Sequence, residues 1–158
     1  MSAMTTTRIV HHVRAGRASV YRALLDPSSV QQWMVPTGMT SRVHAFDARE
    51  GGAFRISLTY DAPGQAGKTS EHTDTHRGRF VELVPDRRVV ELVEFETDDP
   101  ALQGEMRITF DLIDADGGTD IIAVHEGLPT GVSPANNDLG WRSSLGKLTA
   151  LIETEDRR

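Results

Sequence analysis

The stretch Ser133–Glu153, SPANNDLGWRSSLGKLTALIE, is the only long segment of the chain whose pattern reads clearly as a helix. Ser133 suits the N-cap, and Pro134 takes the first helical position, where its missing N–H group has no cost. At about 1.5 Å per residue the helix would be roughly 30 Å long, so it needs a broad surface to lie on. Spacings of four, three and four residues place its apolar side chains on one narrow stripe, formed by Trp141, Leu145, Leu148 and Ile152.

The composition predicts one cytoplasmic domain over 1–158, with a core at about 5–153. With 38% hydrophobic and 25% charged residues, the chain is long enough to bury a core. The net charge of -6 and the scattered basic residues argue against a nucleic-acid partner, since such proteins usually carry a basic face. Cysteine is absent, which removes disulfides and cysteine metal sites. No apolar run approaches the ~20 residues of a membrane span, and Met1–Thr7 is too polar for a signal peptide.

The segment before this helix predicts an antiparallel sheet. In Gly52–Tyr60 and in Met106–Leu112 apolar and polar residues alternate, which is typical of strands with one buried and one exposed face. Asp61–Ser70 contains prolines and glycines and predicts a long loop. In chain order the predicted elements are a strand at Thr5–Arg14, helices at Arg17–Leu25 and Pro27–Trp33, then strands at Ser41–Ala48, Gly52–Tyr60, Thr73–Val84, Arg88–Thr97, Met106–Leu112 and Thr119–Leu128.

This order of elements predicts an α+β domain. Consecutive hairpins make an antiparallel sheet, and the final helix completes it by covering the apolar face. A sheet of about seven strands that curls around one helix need not touch it everywhere, so we expect a cavity between the two. An exposed edge of such a sheet could support a homodimer.

Several local patterns also occur in this order in a known superfamily. They are Val20–Leu24 followed by Trp33, the Gly51–Phe54 turn, Gly78–Pro85 before Arg88–Val90, the Thr119–Leu128 strand with its His125-Glu126-Gly127-Leu128 end, and Gly140-Trp141 leading to Leu145 and Leu148. With them the chain resembles, over roughly Thr5 to Ile152, the SRPBCC superfamily of START-like domains. Within it the chain is most similar to the branch named after the C-terminal domain of the activator of the heat-shock protein 90 ATPase. The resemblance implies the helix-grip fold, with two short helices after the first strand.

The same resemblance implies more than one function, because proteins that resemble this superfamily include lipid carriers, cyclases and dehydratases. The first hypothesis is binding of a small, largely apolar molecule, with no cofactor. The second is a chaperone co-factor that stimulates an ATPase by protein interaction. The third is a cyclase- or dehydratase-like enzyme in which a pocket histidine and a pocket acid transfer protons. The sequence itself has no phosphate-binding glycine motif, nucleophile elbow or His-Glu-x-x-His motif.

Two polar residues in the predicted strands are candidates for such chemistry. His125 shares the phase of Thr119, Ile121 and Ala123, so it should face the concave side, as a ligand contact, a general base or a hydrogen-bonded core residue. Glu91 shares the phase of apolar residues and would sit in the pocket with a raised pKa, unless a local bulge turns it outward. The full predicted ligand site is Phe54, Ile56, Glu91, Val93, Phe95, Ile108, Phe110, His125, Trp141, Leu145 and Leu148.

One further cluster could hold a metal ion. His72, Asp74 and His76 alternate along the chain, so on a straight strand their side chains share one face. Two imidazoles and a carboxylate form a known ligand set for non-haem metals. The simpler interpretation is the solvated end of a strand, because the cluster directly follows a glycine-rich loop.

Overall fold

The structure, a computed structural model, describes residues 5–62 and 72–156. Most of the loop predicted at Asp61–Ser70 lies outside these residues. The described elements follow the predicted order: β1 (Thr6–Val13), α1 (Arg17–Leu25), α2 (Pro27–Trp33), β2 (Met39–Phe46), β3 (Ala53–Tyr60), β4 (Thr73–Val84), β5 (Arg88–Phe95), β6 (Met106–Ala115), β7 (Gly118–Glu126) and α3 (Pro134–Asp156).

The strands form one seven-stranded antiparallel sheet in the order β1-β7-β6-β5-β4-β3-β2. Each strand therefore pairs with its neighbour in sequence, except that β1 pairs with the last strand, β7. The sheet curves around α3, which packs on β1 and on both short helices. This arrangement confirms the predicted α+β helix-grip architecture.

The ends of some elements differ from the predicted ones. The strand predicted at Met106–Leu112 continues to Ala115, because Asp114 pairs with Thr119 across a tight turn. The run of aspartates and glycines made this segment look like a longer turn. The helix start is as predicted, since the backbone N–H of Asn136 donates to Oγ of Ser133 over 3.2 Å.

The C-terminal half of α3 lies on the hydrophobic core. Leu145, Leu148 and Ile152 are buried there in the main hydrophobic core. Trp33, the last residue of α2, is also fully buried, and its indole N–H donates to the carbonyl of Ala23 over 2.9 Å. The short helices and this half of α3 thus fill the space above one end of the sheet.

Within the described part of the chain, no helix has the length and the apolar content that crossing a membrane requires.

Candidate functional site

A cavity of about 410 Å³ lies between the inner face of the sheet and the N-terminal half of α3. Strands β2 to β7 contribute to it, together with the segment between α2 and β2 and the loop that precedes α3. Apolar side chains supply most of the wall, which suits a ligand of low polarity. They are Met34, Pro36, Met39, Leu58, Val93, Phe95, Met106, Ile108, Val132 and Trp141.

A row of aromatic rings runs from the filled core to this cavity. The ring of Phe110 lies edge-on to Trp33, with 6.5 Å between centroids, and to Trp141 at 5.8 Å. The ring of Trp141 lies edge-on to the imidazole of His125, with 6.1 Å between centroids. The row begins in the core beneath α2 and ends at the cavity, so Trp141 serves both as packing and as cavity wall.

Two small residues of α3 leave the cavity unfilled next to this row of rings. Gly140 and Ser144 both line the cavity, one turn apart. A β-carbon at Gly140 would have Pro36 Cγ as its nearest neighbour, at an ordinary contact distance of 3.6 Å. The helix therefore lies above the sheet here with no large side chain at either position to fill the gap.

Glu91 is the most unusual polar group of the cavity. It is 5% exposed, faces inward from β5, and is paired in register with Phe80 on β4 and Ile108 on β6. The irregularity in this region lies in β4, between Phe80 and Glu82, and does not turn Glu91 outward. Burial raises the pKa of the Glu91 carboxyl group to about 8, so the group is mostly protonated at neutral pH.

His125 also faces the cavity, from β7, and is 7% exposed. Its Nδ1 lies 3.2 Å from the side-chain amide nitrogen of Asn137, and its Nε2 lies 3.1 Å from Sδ of Met106. Burial, followed by the nearby His76, lowers the pKa of His125 to about 4. The imidazole is therefore neutral at physiological pH.

The three residues of the predicted metal cluster have different surroundings. Asp74 and His76 line the cavity from β4, whereas His72 precedes the strand and is not among the lining residues. Burial lowers the pKa of His76 to about 4, although Asp74 and Glu96 act in the opposite direction. Among the residues with described positions, no group of three or more His, Asp or Glu side chains could hold a metal ion.

The structure divides the predicted ligand site into two sets. Six of its residues line the cavity: Glu91, Val93, Phe95, Ile108, His125 and Trp141. The other five belong to the buried core and are not among the cavity-lining residues: Phe54, Ile56, Phe110, Leu145 and Leu148.

Some lining residues were missed although the sequence pattern contains them. Leu58 and Tyr60 continue the inward phase of Ile56 along β3, and Met106 shares the phase of Ile108 on β6. Others have no such signal, because they lie in irregular segments, at the first residue of β2 or on the polar flank of a helix. These are Pro36, Thr37, Met39, Gly131, Val132, Ser133, Asn136, Asn137 and Ser144.

The titratable groups of the cavity differ in the chemistry that they could perform. A general base is most effective when its pKa lies near the working pH, and both cavity histidines, with pKa values of about 4, are far from it, whereas the Glu91 carboxyl group, with a pKa of about 8, lies closer. Both ring nitrogens of His125 also contact neighbouring side chains. A protonated carboxyl group, in contrast, can donate a hydrogen bond to a bound molecule.

A curved antiparallel sheet that grips a long C-terminal helix, with a mostly apolar cavity beneath the first half of that helix, defines a helix-grip domain. The chain belongs to the family described as Activator of Hsp90 ATPase homolog 1-like protein, whose model matches residues 14–153. This match confirms the resemblance seen in the sequence.

Solved structures of bacterial proteins share this fold. One from Chromobacterium violaceum is 37% identical, with a TM-score of 0.84 over 94% of this chain and 96% of that chain. A protein from Rhodobacter sphaeroides is 19% identical, with a TM-score of 0.78 over 95% and 93% of the two chains. An AHSA1-like protein from Aeromonas hydrophila is 18% identical, with a TM-score of 0.69 over 98% and 96%. The latter two show the fold alone. No curated protein matches the sequence.

Proposed function

We propose that this protein binds a small, largely apolar molecule in the cavity between the sheet and α3. The observation that carries the proposal is a 410 Å³ space whose walls are mostly apolar and whose few polar groups converge from separate strands. Ligand sites commonly have volumes of about 300 to 1,000 Å³ and this composition. The bound molecule would lie against Trp141 and beneath Gly140.

Two glycines of α3 provide a matched test of this proposal. Gly140 lines the cavity, whereas Gly146 is exposed and a β-carbon there would meet no atom within 4 Å. Leucine at either position should favour the helix by up to about 1 kcal/mol relative to glycine. Only Gly140→Leu places a large side chain where the ligand would be, so only this variant should lose binding.

The measurement is a fluorescence titration with Nile red, an uncharged dye, combined with native mass spectrometry of the purified protein. We expect the wild type and Gly146→Leu to bind the dye with equal affinity and Gly140→Leu to bind it at least about tenfold more weakly. Equal affinity in all three proteins would place the dye elsewhere. No bound dye and no co-purified molecule would remove the proposal.

The family description supports a second candidate, because it refers to activation of the Hsp90 ATPase. In this role the domain would bind a chaperone of that type and increase its rate of ATP hydrolysis. A pull-down with a purified Hsp90-type chaperone and a coupled ATPase assay test it directly. An unchanged hydrolysis rate at saturating protein would exclude it, and Gly140→Leu should not affect this activity if the cavity has a separate role.

A further inference from the structure

Among the described residues, none is a partner for the Glu91 carboxyl group. No hydrogen bond or ion pair joins that group to another described residue, and burial is the sole cause of its altered pKa. Its oxygens border the cavity and are not completely enclosed, since the one completely enclosed side-chain oxygen without a partner in the described residues is Oγ of Ser41. The neighbouring inward residues on the adjacent strands are Phe80 and Ile108, neither of which can accept or donate a hydrogen bond. A buried polar group without a partner is costly, so such groups in proteins are nearly always satisfied.

The cavity itself offers the missing partner position. Glu91 is a cavity-lining residue, so its carboxyl group adjoins the space in which a ligand would lie. At neutral pH the protonated carboxyl is a hydrogen-bond donor in an apolar wall. An oxygen acceptor on the ligand would therefore satisfy it without introducing a charge.

The charges around the cavity disfavour an anionic ligand. Of the cavity-lining residues that the structure describes, none is lysine or arginine. The two histidines are neutral at physiological pH, and the other acidic residue of the wall, Asp74, already interacts with His76. A carboxylate brought into this space would leave water without gaining a positive partner.

We infer that the cavity selects uncharged amphiphiles that carry a carbonyl oxygen, that Glu91 donates the hydrogen bond that anchors this oxygen, and that fatty-acid-like anions are rejected. This inference rests on the proposed binding function and names the ligand class of the same cavity. Glu91 would determine which head group binds, and the apolar wall would enclose the alkyl chain.

Two probes of equal chain length test the inference by isothermal titration calorimetry: octyl methyl ketone and decanoate. In the wild type at neutral pH we expect the ketone to bind at least about tenfold more tightly than decanoate. Glu91→Leu should lose at least about tenfold in ketone affinity, whereas Glu91→Gln should retain it because its amide N–H group can donate. Circular dichroism and thermal unfolding would confirm that both variants are folded.

The pH dependence separates anchoring from simple packing. Ketone affinity of the wild type should fall as the pH rises from about 7 to about 9.5, because the Glu91 carboxyl group then loses its proton, and Glu91→Gln should show no such fall. If both probes bind and Glu91→Leu alters none of the affinities, the binding function stands and this inference is wrong. Equal or tighter binding of decanoate would also overturn it. If no probe binds the wild type, both proposals fail.

Discussion

The side-chain amide of Asn137 on α3 lies 3.2 Å from Nδ1 of His125 on β7. With the amide donating to Nδ1, the imidazole proton lies on Nε2, which faces Sδ of Met106 at 3.1 Å. This contact connects the first turn of the long helix to the inner face of the sheet at the cavity wall. It holds a neutral ring whose pKa burial has lowered to about 4.

Replacing this amide with a carboxylate should change the protonation of His125. In Asn137→Asp an acid stands next to Nδ1 and stabilises the imidazolium, so we expect the pKa of His125 to rise by roughly one to three pH units. Histidine ring chemical shifts followed by NMR across a pH titration measure this value, and a His125→Gln variant assigns the signal.

Asn136→Asp is the matched control, since it adds the same charge one residue earlier, at an exposed position whose side chain is not among the described hydrogen-bond partners of the His125 ring. It should leave the pKa of His125 nearly unchanged. Equal shifts in the two variants would show that general charge, and not the Asn137 contact, governs the ring.

Glu91 should make the free energy of unfolding decrease as the pH rises. Its carboxyl pKa is raised from 4.5 to about 8 in the folded protein, so the folded state holds the proton more tightly than the unfolded chain. Its contribution to stability is complete below about pH 4.5 and is lost as the pH rises through about 8. The loss is on the order of 5 kcal/mol, from 1.36 kcal/mol per pH unit.

Glu91→Gln removes this dependence because the amide does not ionise. Urea unfolding of both proteins between about pH 5 and about pH 9 gives the difference in free energy of unfolding, and this difference should move in favour of the variant as the pH rises. A difference that stays constant across the series would mean that the Glu91 carboxyl group is not buried as a neutral acid.

His125 should make the free energy of unfolding decrease as the pH falls. Its folded pKa of about 4 lies below the ordinary 6.5, so the unfolded chain binds the proton more readily. Its contribution to stability is present above about pH 6.5 and is lost as the pH falls toward 4, by an amount on the order of 3 kcal/mol. Unfolding curves of wild type and His125→Gln should converge, or cross, as the pH falls from about 7 to about 4, and parallel curves would contradict the assignment.

Much of the fold was readable from the sequence because burial there is periodic. Along β7 every second residue from Thr119 to His125 is buried, and the apolar stripe of α3 is buried from Leu145 to Ile152. Local alternation of this kind requires no knowledge of distant contacts. For Glu91 the pattern left two directions open, inward or turned outward by a bulge, because Val89, Val90 and Glu91 are all buried and burial does not alternate there.

The position of the cavity could not be predicted, because it depends on contacts between residues far apart in sequence. Trp33 reaches Phe110 in the middle of the sheet and fills the space above it. The open space is therefore displaced toward Leu58, Tyr60 and the first half of α3. Periodicity identifies which side chains face inward, but it does not show which of them meet a neighbour.

Leu148 tests whether the two halves of α3 have separate tasks. It is fully buried in the core and is not among the cavity-lining residues, so Leu148→Ala should lower the free energy of unfolding by roughly 2 to 5 kcal/mol. Lys147→Ala, at the adjacent half-buried position, should change it by less than about 0.5 kcal/mol. Because the cavity wall is intact, folded Leu148→Ala should bind Nile red within about threefold of the wild type. Loss of dye binding by a folded Leu148→Ala protein would show that core and cavity are one continuous space, and the separation of the two halves of α3 would be wrong.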